Sequence, residues 1–559
     1  MNDASSPAAE AAAPAPPASA WAPLGLPNFR ALWLANVVSD VGGAMHVVGA
    51  GVLMTTMSPS PLVVSLVQAA TMLPMFLLVL PAGVLGDVLD RRKLLIFAQL
   101  WALASALLLG VSTLAGWMSP ALLLVLTFML SIGAALATPP FQSIVAELVP
   151  RPMLPSAVSL NSMGVNIARA AGPALGGLLI SLAGVPWVFL FNAASFLFVV
   201  FVLWRWKRTP RTNPLPPEQF LGAIRNGWRY ARRNPQLQSV LVRAVSFFAF
   251  ASALWALLPL VGRMKLAGNP NGYALLLSCM GVGAVLAALT LPRLRTRVSP
   301  TAVTLLAALL YAGAVALAAL TQRFEIAALA MVLAGWAWLA SLSTLNTAAQ
   351  LVIAEWVKGR GLAMYQIAFF GSQALGSMAW GQLAQMTSIT TALLLSSAGL
   401  VLGCATALRY RLAGQDEMKL QPSLHWPEPR VLLEDTDGRG VILTTVEYQV
   451  DAADVPAFVA AMNPVEQMRR RNGSFGWGLY EDMEQPGRFV EHFLSESWME
   501  HLRLHQRTTE SGRSVQEKAP AYHRGPETPR VAHWAAPGPQ GAAPPPPHRH
   551  DHDGGHTHE

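Results

Sequence analysis

Few ionisable residues lie inside long apolar stretches of the chain, and Asp40, Arg169 and Arg243 are among them. A charged group inside a bilayer is costly, so each is a candidate for proton transfer or for binding a charged ligand. In a helix, Asp40 lies roughly 16 Å beyond Phe29, near the middle of a span. Arg169 has a similar depth in its own stretch. Arg243 lies early in its stretch, and its long side chain could instead reach the membrane surface.

The residue types allow three arrangements for these charges. Asp40 and Arg169 could line one central cavity, where protonation of Asp40 competes with binding of a ligand. They could instead form a static ion pair that holds two helices together, or they could have separate roles. For an anionic ligand, Arg169 and Arg243 are the favoured contacts because a guanidinium binds oxyanions well.

The elements that carry these residues are predicted to be membrane-spanning helices. Hydrophobic residues make up 53% of the 559 residues and charged residues only 13%, roughly half the charged fraction of a soluble protein. Apolar runs long enough to span a bilayer follow one another twelve times. They lie near 29–54, 61–85, 94–116, 120–141, 155–181, 184–206, 238–262, 271–292, 300–321, 326–354, 361–385 and 388–410. The fold class is therefore an all-α membrane protein with two six-helix halves.

The distribution of basic residues predicts the orientation. The loops on the side of the N-terminus contain most of the loop arginines and lysines, namely Arg30, Arg91, Arg92, Lys93, Arg151, Arg293, Arg295, Arg297, Lys358 and Arg360. The opposite loops contain little beyond Arg263, Lys265 and Arg323. Both termini are thus expected in the cytoplasm, which agrees with an even number of spans. The net charge of +8 belongs to these loops, so nucleic acid is not expected as a partner.

The loop after the second run contains Gly83, Asp87, Arg91 and Arg92 in a spacing that resembles the signature loop of the major facilitator superfamily. The resemblance implies a latch between the cytoplasmic ends of neighbouring helices, in which Gly83 permits close approach. The chain departs from that pattern at Val88 and Asp90, so the latch is expected to use different pairs here.

The fifth run contains Gly172, Pro173, Gly176 and Gly177, which resembles the fifth-helix motif of proton-coupled exporters of that superfamily. Pro173 removes a backbone hydrogen bond and is expected to bend the helix. The stretch from 147 to 169 is similar to the exporter group that includes the enterobactin exporter. The resemblance implies a secondary transporter of the bacterial inner membrane that exports a siderophore, drug or metabolite by proton antiport.

The soluble segment after the last run has a different pattern. Residues 430–536 alternate as strand, helix, strand, strand, helix, strand, which is typical of a ferredoxin-like unit. This segment resembles the dimeric α+β barrels related to antibiotic-biosynthesis monooxygenases, so a homodimer is a possible partner state. Trp477, Trp498, His492, His501 and His505 could line a cavity. The alternative to a transporter is therefore a membrane-anchored enzyme or sensor whose activity lies in this unit.

The remaining segments give the domain boundaries. A disordered N-terminal segment (1–24) precedes the first half (25–206), and a linker with an amphipathic helix (207–237) precedes the second half (238–411). A Pro/His-rich tail (537–559), which could bind transition metals weakly, ends the chain. No catalytic set, metal site or cofactor motif is predicted, and Cys279 and Cys404 are expected to be buried thiols without a disulfide. The expected partners are membrane lipid, a small-molecule cargo and protons.

Overall fold

The computed structural model describes residues 21–206, 230–265, 271–353, 357–412, 440–507 and 510–536. The predicted N-terminal segment up to residue 20, most of the predicted amphipathic linker and the Pro/His-rich tail lie outside these ranges. The chain divides into two compact units, one with the long helices and one with the β-sheet.

The first half of the helical unit contains six long helices. They are α1 (Pro27–Met57), α2 (Pro61–Val88), α3 (Arg91–Leu114), α4 (Pro120–Leu148), α5 (Leu154–Ala183) and α6 (Val185–Arg205). Several of these helices begin at residues that favour a helix start. Ser60 and Ser119 each accept a hydrogen bond from the backbone of the first turn, and each is followed by a proline whose missing N–H costs nothing there.

The second half repeats the arrangement with α7 (Pro235–Lys265), α8 (Asn271–Arg295), α9 (Pro300–Leu320), α10 (Phe324–Val352), α11 (Lys358–Met386), α12 (Ile389–Gly403) and the short α13 (Thr406–Arg409). Among the described residues, eleven helices are long and apolar enough to cross a membrane. The predicted run near 361–385 falls in α11, which is long enough but too polar to meet the same criterion. The membrane-helix class is confirmed, and the count of twelve is not.

Glycines permit the closest helix contacts within the second half. A Cβ atom on Gly283 of α8 would meet the carbonyl oxygen of Val332, and one on Gly335 of α10 would meet that of Met280. Beside this contact, Tyr311 and Trp338 pack with Phe247, Phe248 and Phe369 in one aromatic cluster. Close backbone packing is the main attraction between membrane helices, since lipid is as apolar as the helices themselves.

The two halves contact each other through α2 with α11 and through α5 with α8. Ser60 donates to Gln385 at 2.8 Å, and a Cβ on Gly381 would meet Ser65. Arg263 donates to the carbonyl oxygen of Thr55. These contacts all lie near the end of the bundle at which α1 finishes, so the halves are closed together at that end.

The second unit has the predicted order of elements. It contains β1 (Ile442–Gln449), α14 (Val455–Asn472), β2 (Phe475–Glu481), β3 (Arg488–Ser495), α15 (Trp498–Arg507), α16 (Glu510–Gln516) and β4 (Arg530–Ala535). The strands form an antiparallel sheet in the order β2-β3-β1-β4. Phe458, Met462 and Val465 of α14 pack on one sheet face with Phe489 and Phe493.

Replacing Gly335 by alanine tests the packing of α8 against α10. The added methyl group would collide with backbone that cannot move aside, so we expect a loss of about 1–3 kcal/mol of stability. The measurement is thermal unfolding of the purified full-length protein. Gly313→Ala in α9 is the control, because a Cβ there meets nothing within 4 Å. Equal unfolding midpoints for the two variants would contradict this packing.

Candidate functional site

The polar group in α1 is built from two residues one helical turn apart. Asn36 donates its side-chain N–H to Oδ2 of Asp40 at 3.0 Å, and both side chains are half-buried. A Cβ on Gly43 of the same helix would meet nothing within 4 Å, so space lies beside this stretch of α1. The carboxylate of Asp40 is therefore held in one orientation by a neutral donor next to an open region.

Helix α5 lies against α1 through a row of glycines spaced along one face. Cβ atoms at Gly164, Gly172 and Gly176 would meet α1 at Val37, Ala44 and Met45 respectively. Trp33 of α1 donates its indole N–H to the carbonyl oxygen of Leu160 at 2.9 Å. These contacts fix the two helices in register with little separation, so they determine where Asp40 and Arg169 lie relative to each other.

Arg169 lies on a different face of α5 from this glycine row. Its side chain is exposed, although it belongs to a residue in the middle of a long apolar helix. Arg169 and Asp40 interact electrostatically. No ion pair within 4.0 Å joins these two described residues. The structure thus places the two predicted charges in one region without direct contact between them.

The fifth-helix motif lies at the level where the two halves meet. Pro173 is buried, and α5 continues through it from Leu154 to Ala183 without a break in the helix. A Cβ on Gly177 would lie 2.6 Å from Cβ of Ala274 in α8, and one on Gly281 of α8 would lie 2.6 Å from the carbonyl oxygen of Arg169. In this motif, glycine is required because α5 approaches both α1 and α8 at near-backbone distance.

The latch residues make contacts that the sequence did not specify. Arg91 at the start of α3 pairs with Glu147 near the end of α4 at 3.0 Å. Arg92 donates to the carbonyl oxygens of Leu203 and Trp204 at the end of α6, at 2.8 and 2.7 Å. The guanidinium groups therefore join the ends of three helices. Glu147 was not among the predicted latch residues.

The latch prediction also includes Gly83 and Asp87. A Cβ on Gly83 would meet nothing within 4 Å, so the expected close helix approach at this glycine is absent in this structure. The side chain of Asp87 lies outside the described residues. Asp90, which departs from the family pattern, caps α3 by accepting a hydrogen bond from the backbone of Lys93 at 3.0 Å.

Arg243 is not brought together with Asp40 and Arg169. It lies inside the second half, where it donates to Oγ1 of Thr304 in α9 at 2.6 Å. Neutral polar residues of the long helices also differ in their surroundings. Gln373 is buried. Asn346 and Gln350 of α10 are exposed, and they lie towards the same end of the bundle as Arg243. Sequence position alone could not distinguish these environments.

Comparison with known proteins gives the family. The sequence model of transmembrane secretion effectors of the major facilitator type matches residues 18–538, which include both compact units. The chain belongs to this family. It is similar to the enterobactin exporter EntS of Escherichia coli O1:K1, with 26% identity over 370 residues, 66% of this chain and 88% of that protein. The EntS protein of Shigella flexneri matches at 26% identity over 66% of this chain and 87% of its own length.

Solved structures share the fold of this major facilitator chain. A bacterial homologue of the human lysosomal transporter Spinster superposes with a TM-score of 0.53 at 19% identity, over 69% of this chain and 98% of the homologue. The nucleoside transporter NupG superposes with a TM-score of 0.55 at 11% identity, over 69% of this chain and 100% of NupG. The chain is therefore a multi-pass transporter of the exporter type, and these relatives and structures are all transporters.

The sheet-containing unit of this chain has a buried ionic network of its own. Glu491 has no exposed surface and accepts hydrogen bonds from Arg469 and Trp477, both at 3.1 Å, and from Tyr448 at 3.3 Å. Burial and the carboxylate of Glu491 raise the pKa of the Tyr448 hydroxyl well above its ordinary value. Tyr448 therefore remains a neutral donor, and the network is satisfied internally.

The tryptophans and histidines that could line a cavity in this unit lie in different places. Trp477 binds Glu491 on the face covered by α14, whereas His492 stacks on Tyr480 on the opposite face. Trp498 and His501 form a separate group with His533. The alternation of side chains along β3 separates His492 from Glu491 and Trp477, because neighbouring residues point to opposite sheet faces. His501 lies on the covered face, where it is 3.3 Å from Thr444 of β1. The side chain of His505 lies outside the described residues.

Exchanging the charges of the latch tests the pair between Arg91 and Glu147. Each single reversal, Arg91→Glu or Glu147→Arg, places like charges together and should lower the midpoint of thermal unfolding. The double variant should recover part of that loss, since it restores an ion pair in the opposite sense. The measurement uses the purified full-length transporter. A double variant no more stable than the less stable single variant would contradict a direct interaction.

Proposed function

We propose that this chain exports an anionic, siderophore-type small molecule across the bacterial inner membrane in exchange for protons. The observation that carries the proposal is the placement of Asp40 and Arg169 in one region between α1 and α5, without a direct ion pair. A carboxylate can take up a proton, and a guanidinium can bind an oxyanion. The named activity of the EntS relatives supports the choice of a siderophore as cargo.

The distribution of contacts supports a cleft that is accessible from the end at which α1 begins. The halves are closed together at the opposite end by Ser60 with Gln385 and by Arg263 with Thr55. Towards the start of α1, α5 exposes Ser162, Val165 and Arg169. With both termini in the cytoplasm, as the basic loops favour, this cleft would receive cargo from inside the cell.

A twelfth span is part of the same proposal. Helix α11 is polar in composition, but it packs against α2 and α7 and buries Gln373 and Ser377. A helix surrounded by other helices can carry polar residues through a membrane, because those residues face protein instead of lipid. Counting α11 as a span places the N- and C-termini on one side.

The proposed coupling depends on competition at Asp40. Hydroxyl groups of the cargo that donate hydrogen bonds to the carboxylate of Asp40 favour its ionised form, so cargo binding and protonation exclude each other, while Arg169 binds the oxyanion of the cargo. A static ion pair would instead keep the two side chains in contact. The separation between them, and the neutral donor Asn36 on Asp40, support the coupled arrangement.

Replacing Asp40 by asparagine tests the coupling. We expect proton-driven transport of a labelled catecholate siderophore in everted vesicles to fall to the level measured with an uncoupler, since asparagine carries no titratable proton. Glu325→Gln is the control, because Glu325 is an exposed carboxylate in the first turn of α10. Proton-driven transport that survives in Asp40→Asn would exclude Asp40 as the coupling group. Loss of siderophore transport in Arg169→Gln, with folding retained, would identify the cargo contact.

We also propose that the sheet-containing unit forms a homodimer through its uncovered face. On that face, Tyr480 of β2 and Trp534 of β4 are 63% and 60% exposed, and His492 and Leu443 lie between them in the register. Large aromatic side chains in one exposed patch are typical of protein interfaces. A second copy of the same sheet would cover this patch, as the resemblance to dimeric α+β barrels implies.

Trp534→Glu tests the dimer. A charge within this exposed aromatic patch should convert the purified full-length protein from dimer to monomer, as measured by mass photometry in detergent. Met483→Glu is the matched control, because Met483 is 95% exposed in the turn between β2 and β3, away from the sheet face. A wild-type protein that is monomeric at all concentrations tested would contradict the proposal.

A further inference from the structure

A second polar region lies inside the helical unit, apart from the cleft between α1 and α5. It is a small pocket between α7, α9, α10, α12 and α13. Its polar lining consists of Arg243, Ser246, Thr304, Ser341, Cys404 and Thr406. All of these residues belong to the second half of the protein, so the cavity does not depend on how the two halves are arranged.

Arg243 has unused hydrogen-bonding capacity in this cavity. Its side chain is buried, with 6% of its surface exposed. Nη2 donates to Oγ1 of Thr304 at 2.6 Å, and the carbonyl oxygen of Thr301 lies 3.5 Å from the same nitrogen. Nη1 is buried and has no hydrogen-bond partner. One terminal nitrogen of the guanidinium, Nη2, therefore has a hydrogen-bond partner, and the other, Nη1, has none.

A second donor in the lining is also unsatisfied. The hydroxyl of Ser341 is buried and has no partner. The hydroxyl of Thr406 lies 3.5 Å from that of Ser246, so a further pair of hydroxyls lies in the same cavity. The residues that line the cavity include no aspartate or glutamate. A buried cation without a carboxylate is expensive, and an anion that accepts hydrogen bonds from these groups would remove the cost.

The depth of the cavity indicates the source of the anion. Arg243 is eight residues after Pro235, about 12 Å along α7, and Thr304 is four residues after Pro300, about 6 Å along α9. Thr406 lies just beyond the end of α12. All three lie towards the bundle end at which α1 begins, which is the end from which a lipid headgroup of that leaflet would enter. Basic pockets between membrane helices at this depth suit lipid phosphates.

We propose that this cavity binds a phosphate group, supplied by the headgroup of an anionic phospholipid or by free phosphate. The guanidinium of Arg243 donates from Nη1 to a phosphate oxygen, and the hydroxyl of Ser341 donates to another. Arginine and hydroxyl groups together match the several acceptor oxygens of a phosphate. The site is distinct from the one at Asp40 and Arg169, and the proposal does not rest on the identity of the cargo.

The test is the thermal unfolding of the purified full-length protein in detergent with three additives. These are inorganic phosphate, a short-chain phosphatidylglycerol, and a diacylglycerol of the same chain length that lacks the phosphate. We expect a concentration-dependent rise in the midpoint with phosphatidylglycerol and no rise with diacylglycerol. A rise with phosphatidylglycerol alone identifies a lipid headgroup, and a rise with inorganic phosphate alone identifies the free anion. Both results support the proposed chemistry.

Variants of the lining connect the effect to the cavity. Arg243→Gln should weaken binding at least about tenfold, because a hydrogen bond from a charged donor is lost. Ser341→Ala should weaken binding several-fold, and it decides the outcome if Arg243→Gln does not fold. Arg293→Gln should retain wild-type binding, since Arg293 is an exposed arginine at the same end of the bundle but outside the cavity. The proposal is overturned if neither phosphate compound raises the midpoint, if diacylglycerol raises it equally, or if the lining variants bind as the wild type does.

Discussion

The close approach of α5 to α1 and α8 sets the geometry on which the rest of the helical unit depends. Glycines at 164, 172 and 176 allow α5 to lie against α1 at near-backbone distance. Gly281 of α8 allows the same approach to the backbone of α5 beside Arg169. Because lipid provides no hydrophobic force between helices, such contacts fix the structure mainly through van der Waals packing. Asp40 and Arg169 keep their relative positions because the glycine row holds the helices that carry them.

The buried charged residues of the two units differ in how completely they are hydrogen-bonded. In the sheet-containing unit, Glu491 is fully buried but receives three hydrogen bonds, including one from Arg469. Removing one partner of such a pair typically costs about 3–5 kcal/mol, so the network specifies the structure of that unit. In the helical unit, Arg243 is buried with one side unsatisfied. The contrast is why Glu491 is interpreted as structural and Arg243 as part of a binding site.

Arginine residues at helix ends also connect neighbouring helices, which their positions in the sequence did not predict. Arg91 and Arg92 connect the start of α3 to the ends of α4 and α6. A basic residue in a loop can satisfy the orientation rule and also bind carbonyl oxygens left free at a helix C-terminus. The same residues therefore hold helix ends together and are also among those from which the orientation is predicted.

The sequence by itself determined the membrane class, the positions of the long helices and, apart from α16, the succession of strands and helices in the second unit. These features follow from local patterns: apolar length for a span, Ser-Pro pairs at helix starts, and alternation along β1 and β3. The tertiary structure decided which charges meet. Glu147 became the partner of Arg91 because α3 packs on α4, and Arg243 became separate from Arg169 because α7 and α5 belong to different halves. It also divided the predicted cavity residues Trp477 and His492 between opposite sheet faces. Such pairings depend on distances between segments far apart in the chain, which composition and spacing do not contain.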